Sequence, residues 1–471
     1  MIKYKNEEFK KEFIELVRFC HDEGIVCEYD IKDIENINED EIIEIDEDDE
    51  FYFELPDDRD IDTITIREAI NIKNDIRDSK LDGHIYKGEE FVKSENSIIS
   101  YIDIAKALGI ILVVCGHMGG AYKAIGLSIY STKPNEIFPL YSFHMPLFIF
   151  ISGYFYKVKY ILDIKSQIKK RFYSLVLPYY KWNLFYGILV SILIYFNIFQ
   201  NGKIFNLYNF FIEPLFQGYQ YNLNGPSWFI LSLFSIQIGY TLINKLLKSK
   251  SFICDTLLIM ILFIFTVLVN LWSNNINMVQ YPIALFISRT TFGIFFFHLG
   301  YYFNTYIKTI YKLGLINLII IIIVKYSLNI WLGKNYTFSM RTMLLRGESI
   351  IPIVWAILGI LYILNLSKLL EIILTKHRIK YIGLCFNFLA NNTFAIMMHH
   401  MTINYFIVFL MNYFGKNTSL VLAWLSVSNI VNPILCIVFS IYFEKYVGKL
   451  LNKIYTLFFS KFNSNTIQNS N

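Results

Sequence analysis

The chain has 471 residues, of which 55% are hydrophobic, 17% aromatic and only 17% charged, against about 25% charged in ordinary soluble domains. That balance excludes a disordered chain, a collagen-like chain and a typical soluble enzyme, and it points to a polytopic membrane protein. The net charge of +4 conceals two bodies: residues 1–97 carry 13 basic and 31 acidic side chains, whereas the remaining 374 carry 30 and 8.

The acidic head comes first. Residues 4–22 read as a short amphipathic helix with Phe9, Phe13, Leu16, Val17 and Cys20 on one side. An acidic run over 39–50 precedes an alternating Phe-Tyr-Phe-Glu-Leu segment, read as a strand, and 61–77 reads as a further strand or helix. The head is expected to be a small α+β or partly ordered domain. It holds no phosphate loop and no nucleophile motif, and a surface this acidic repels nucleic acid. The first 20 residues are charged throughout, so no cleavable signal is expected there. The six cysteines, at 20, 27, 115, 254, 385 and 436, form no CxxC and no zinc spacing, so neither a disulfide framework nor a metal site is expected.

From residue 98 onward, apolar stretches recur at the length that crosses about 30 Å of hydrocarbon. Ten are expected, at 100–120, 138–156, 176–199, 228–246, 252–272, 283–303, 313–333, 349–367, 386–411 and 420–442. With that count, the loops on the side of the N-terminus collect 19 Lys and Arg, and those on the opposite side 7. The positive-inside rule then places both termini in the cytoplasm of a multi-pass protein of the plasma or inner membrane. The expected fold is an all-α polytopic membrane protein of about ten transmembrane helices. Residues 1–97 form its acidic cytoplasmic extension, 98–445 the membrane domain and 446–471 a cytoplasmic tail.

Ionisable groups at bilayer depth are costly and default to functional candidates. Five of the eight histidines fall in expected spans: His117, His144, His298, His399 and His400. On the first span Asp103, Lys106 and His117 share a stripe, because 11 residues at 100° each return close to the starting face after about 16 Å of rise. His144 opens the second span, where Ser152-Gly153 allows close helix packing. Asn224-Gly-Pro-Ser-Trp228 is a helix start with an interfacial aromatic, and either a structural or a substrate-orienting role fits Trp228. Arg289 and His298, nine residues apart on one helix, face opposite sides. On the ninth span Asn392 and His399 share a face, and of the adjacent pair His399 is taken as the inward residue.

These residues resemble acyltransferase family 3, a family of integral membrane O-acyltransferases. The resemblance rests on Lys106-x10-His117, on Phe143-His-Met-Pro-Leu-Phe-x3-Ser-Gly-Tyr154 and on Gly225-Pro-x-Trp-Phe229, and it covers about residues 98–445. The wording Asp-x2-Lys-x10-His is most similar to the fucose 4-O-acetylase-like branch. The resemblance implies transfer of an acyl group, usually acetyl from acetyl-CoA, to a hydroxyl of an extracytoplasmic surface carbohydrate or lipid-linked glycan. The family often has Arg where this chain has Lys106, which keeps the charge but loses the bidentate fork. Such chemistry needs a base and oxyanion donors. His117 is assigned as the base, with Asp103 and Lys106 organising the stripe and His144 and His399 assisting. Lys106, Lys169, Lys170 and Arg171 are the candidate contacts for the CoA phosphates, and Asn392, Trp228 and Arg289 the candidates for orienting substrate. A secondary transporter would also gather charges and histidines at mid-membrane and is the alternative reading; release of free thiol from acetyl-CoA separates the two.

Overall fold

A computed structural model describes residues 2–4, 7–22, 26–27, 43–45, 50–54, 61–65, 70, 99–124, 142–156, 164–199, 202–216, 221–247, 251–275, 278–332, 339–343, 350–414 and 419–468. It divides into two compact units, Met1–Asn96 and Ser97–Asn471.

The first unit is α+β. Helix α1 (Glu7–Asp22) buries Phe13, Leu16 and Val17, three members of the expected apolar face. Strand β1 (Ile2–Tyr4) lies parallel to β3 (Ile43–Ile45). Strand β4 (Glu50–Glu54) is central in a second sheet, antiparallel to β2 (Val26–Cys27) and β5 (Ile61–Thr65). The expected strand after the acidic run is β4, and the segment compatible with strand or helix begins as β5.

The second unit is a helical bundle. Among the described residues, eight helices are long and apolar enough to cross a membrane. They are α2 (Tyr101–Ala124), α6 (Trp228–Leu247), α7 (Phe252–Asn275), α8 (Pro282–Tyr302), α9 (Leu315–Leu332), α10 (Ile351–Lys376), α12 (Thr393–Phe414) and α13 (Ser419–Gln468). Two of the ten expected spans differ from this pattern. Helix α3 (His144–Tyr154) has 11 residues, about 16 Å of rise, and positions 138–141 of that expected span lie outside the described residues. It is apolar on all sides and buried, as such a helix must be. Helix α5 (Leu177–Tyr195) opens on Pro-Tyr-Tyr-Lys-Trp-Asn, which dilutes its hydropathy. It continues α4 (Ile164–Arg171) through one π turn, Phe172–Val176.

The expected ninth span is broken. Helix α11 (Lys380–Asn391) ends at Asn392, and α12 starts at Thr393. Asn392 Nδ2 donates to Phe388 O at 2.8 Å, and Asn391 Nδ2 to Asn387 Oδ1 at 3.2 Å. Such local bonds compete with a continuous helix. The expected tail is likewise helical, because α13 runs on to Gln468.

Helices α2 and α3 position the polar residues of the bundle. Helix α2 is started by Ser100, whose Oγ accepts the Ile102 N–H at 3.3 Å, and it packs against α10, α11 and α12. Helix α3 lies along α8 with almost no side chain between them. A Cβ on Gly153 would strike the Phe297 backbone, and one on Gly300 the Phe150 backbone.

Candidate active site

The end of α2 that carries His117 meets the start of α3 and the middle of α12. His117 Nδ1–H donates to Val113 O at 2.8 Å. On α12, His400 Nδ1–H donates to Ile396 O at 2.7 Å. Both bonds run to a carbonyl one helical turn back, and a carbonyl only accepts. Each ring is therefore held with its proton on Nδ1 and its lone pair on Nε2. His400 Nε2 faces His117 Nδ1 at 3.4 Å, with ring centroids 5.2 Å apart. Asn404, one turn beyond His400, donates Nδ2 to His117 O at 3.4 Å and Met118 O at 3.3 Å, and Asn432 of α13 donates to its Oδ1 at 3.4 Å. These amides tie three helices together at His117.

A cavity of about 250 Å³ opens here. His117, His144, Trp228, Arg341 and Met401 are among the residues that line it, together with the Gly225-Pro226 turn. Arg289 stands behind Trp228, its guanidinium 5.4 Å from the indole ring and hydrogen-bonded to Phe216 O. Among the described residues the lining includes bases and cations and no carboxylate.

At the other end of α2, Lys106 Nζ pairs with Asp103 at 3.2 Å and lies 5.0 Å from the Phe155 ring. Tyr101 and Tyr154 share a hydrogen bond of 3.0 Å, with Lys368 Nζ over the first ring at 5.5 Å and Lys308 Nζ over the second at 5.4 Å. Glu371 accepts the Tyr101 N–H and pairs with Lys368. Three ammonium groups thus crowd one aromatic patch. Arg171 reaches the adjoining turn, where it lines a small pocket with Ser152 and Tyr156. Lys170 is half-buried and Lys169 exposed on α4, and the aromatic patch takes its ammonium groups from α2, α10 and the segment after α8 instead.

The expected site residues therefore sort into places. His117, His144 and Trp228 share the cavity, with Arg289 behind it. Asp103 and Lys106 lie at the opposite end. Arg289 and His298 are separate, as expected; His298 bonds Tyr240 and Asp255 O instead, at 2.9 Å each. Asn392 caps α11, with its Nδ2 on Phe388 O. His399 and His400 are both buried. Of the paired histidines it is His400 that meets His117, because neighbours on a helix point 100° apart. His399 turns to α5 and α13, donating Nε2–H to Glu444 Oε2 at 2.9 Å and accepting the Tyr186 hydroxyl at Nδ1 at 2.7 Å. His399 is fully buried. Replacing Glu444 with Leu should leave its N–H without an acceptor and cost about 1–3 kcal/mol, read as a lower Tm in detergent. Glu444→Gln, which keeps an acceptor, should recover most of that loss.

His400, Arg341 and Asn404 escape a reading of the sequence. His400 stands out there only as one of a pair. Arg341 sits in a short loop segment, Ser339–Met343, with no pattern to mark it.

No curated protein and no solved structure gives a significant match to the chain. A family model described as an acyltransferase domain matches residues 99–443, which takes in helices α2 to α12, the first half of α13 and both ends of the α2 stripe. With that match over most of its length, and with a multi-pass helical bundle built around His117, this chain belongs to acyltransferase family 3 and is a membrane acyltransferase.

Proposed function

We propose that this protein moves an acetyl group from acetyl-CoA to a hydroxyl of an extracytoplasmic glycan or glycolipid, in the manner of the fucose 4-O-acetylase-like branch. The observation that carries the reading is the cavity at His117, with a lysine cluster at the far end of the same helix. The positive-inside asymmetry assigns the lysine end to the cytoplasm, where acetyl-CoA is made, and the cavity to the outer side. Lys106, Lys308 and Lys368 suit phosphates, and the Tyr101–Tyr154 patch suits an adenine ring. From there the pantetheine arm would cover the roughly 16 Å of rise from Lys106 to His117.

At the cavity the acceptor hydroxyl attacks the thioester carbonyl carbon and gives its proton to His117 Nε2. The imidazolium so formed keeps its Nδ1–H on Val113 O, and the His400 Nε2 lone pair lies 3.4 Å from the same nitrogen. His144 and Arg341 also line the cavity and are the proposed donors to the developing oxyanion. The C–S bond then breaks, and the thiolate leaves as CoA thiol with the proton returned by His117.

The test is release of free thiol from acetyl-CoA by the purified full chain, with and without a hydroxyl acceptor. Acceptor-dependent release is expected; its absence with a panel of surface glycans would sink the reading. Lys106→Met should raise the KM for acetyl-CoA about 5- to 30-fold with kcat changed less, because it removes one charge from the phosphate end. Lys106→Arg should match or improve on the wild type by supplying a bidentate fork.

A further inference from the structure

We infer that Thr402, anchored by Tyr186, His399 and Glu444, sets the width of the His117 cavity by tethering the turn that enters α6 to α12. These are positioning residues for the acceptor. The inference rests on the acyl-transfer reading above for the word acceptor, and on the hydrogen bonds themselves for the tether.

None of the four takes part in the chemistry proposed at His117, yet three helices supply them. Tyr186 comes from α5, His399 and Thr402 from α12, and Glu444 from α13. Glu444 Oε2 accepts His399 Nε2–H at 2.9 Å, and His399 Nδ1 accepts the Tyr186 hydroxyl at 2.7 Å. Thr402 Oγ1 lies 3.0 Å from the same tyrosine oxygen. The Trp182 ring meets His399 edge-on with centroids 4.3 Å apart, and Phe443 lies at 5.1 Å. Tyr186, Trp182 and His399 are fully buried, so the anchor is dry and packed on several sides. It ends at the cavity wall, because Thr402 Oγ1 also donates to Leu223 O at 3.0 Å.

That last bond departs from the habit of this bundle. Ser152, Ser232, Thr241 and Thr266 each donate to the carbonyl four residues back on their own helix. This is the nearest acceptor for a hydroxyl in a membrane helix. Thr402 donates instead to a carbonyl 179 residues away in the chain. Tyr186 gives its Oγ1 a second partner outside α12 and so favours the outward direction.

The tethered turn lacks a side-chain cap of its own. Asn222 adopts the left-handed region, with φ 57°, and Leu223 N–H reaches Tyr221 O only two residues back, at 2.6 Å. Asn224 makes no cap bond to the short helical turn Gly225–Ser227, and its Nδ2 is buried without a hydrogen-bond partner. Gly225, Pro226 and Trp228 then line the cavity, and so does Met401, the residue before Thr402. One bond from Thr402 to Leu223 therefore couples two parts of the wall, and their separation decides how large an acceptor fits. The donor phosphates, assigned to the lysine end of α2, lie beyond its influence.

The experiment uses the purified full chain in detergent, with methyl glycosides as acceptor probes. Thr402→Val keeps the shape and removes the hydroxyl. It should raise the KM for the acceptor about 3- to 10-fold, with the KM for acetyl-CoA and the Tm close to wild type. Thr402→Ser should restore the acceptor KM, and Tyr186→Phe should raise it. An unchanged acceptor KM in Thr402→Val would overturn the inference, as would an equal rise in the KM for acetyl-CoA, the mark of a merely structural role. Trp228 emission, taken as the difference between each form and its Trp228→Phe counterpart, reads the turn without any substrate. It should shift to the red in Thr402→Val and return in Thr402→Ser. If no form releases thiol with any probe, the transfer reading fails, and that red shift still upholds the tether. An unshifted Trp228 component rejects the tether even where transfer is intact.

Discussion

Replacing His117 with Gln should lower acetyl transfer by about 10²- to 10⁴-fold while leaving the protein folded in the membrane. Gln keeps a side-chain N–H that can reach Val113 O, so the turn that holds the site is preserved, but it has no basic nitrogen. The loss should fall on kcat, because the proton moves in the transition state and not on binding. His400→Gln separates two roles for its neighbour. If His400 only fills space, the substitution should be nearly silent. If its lone pair steadies the charged His117 ring, activity should fall by about 10-fold, the worth of one hydrogen bond to a charged group. The measurement is thiol release by purified variants at equal Tm. Full activity in His117→Gln would remove this residue from the chemistry and turn attention to His144, the other imidazole at the cavity.

Gly300→Ala and Gly153→Ala should be the two most damaging glycine-to-alanine changes among the described glycines of the bundle. In Gly300→Ala the new Cβ would meet the carbonyl oxygen and carbon of Phe150 and the amide of Tyr154, which are backbone atoms and cannot rotate away. Gly153→Ala meets the Phe297 backbone from the other side of the same contact. Either change forces α3 away from α8, at a cost of about 1–3 kcal/mol or more. The chemistry should suffer as well, since α3 carries His144 into the cavity at its first residue. Gly314→Ala is the control, because nothing lies within 4 Å of a Cβ there. The expected result is a lower Tm and lower yield for both α3–α8 variants and wild-type behaviour for Gly314→Ala. A Tm unchanged in Gly300→Ala would mean that the two helices can separate without loss.

Much of this protein is legible from residue order alone. Hydropathy separates a bilayer-crossing body from an acidic head, because the energetic demand of lipid is local and additive along about 20 residues. The Lys106–His117 stripe follows from helical period.

Residue order does not convey which faces meet. The amides of Asn391 and Asn392 turn back to their own helix where α11 gives way to α12. His400 meets His117 and His399 meets Glu444, a choice between neighbouring rings that helical period leaves open. Arg341 reaches the cavity from a segment more than 200 residues away in the chain, and no local pattern records such a distance. Composition and period decided that this chain is a membrane bundle with one polar stripe. Only helix packing, governed by contacts such as Gly153 on Phe297 and Gly300 on Phe150, decided which histidines and arginines that stripe would meet.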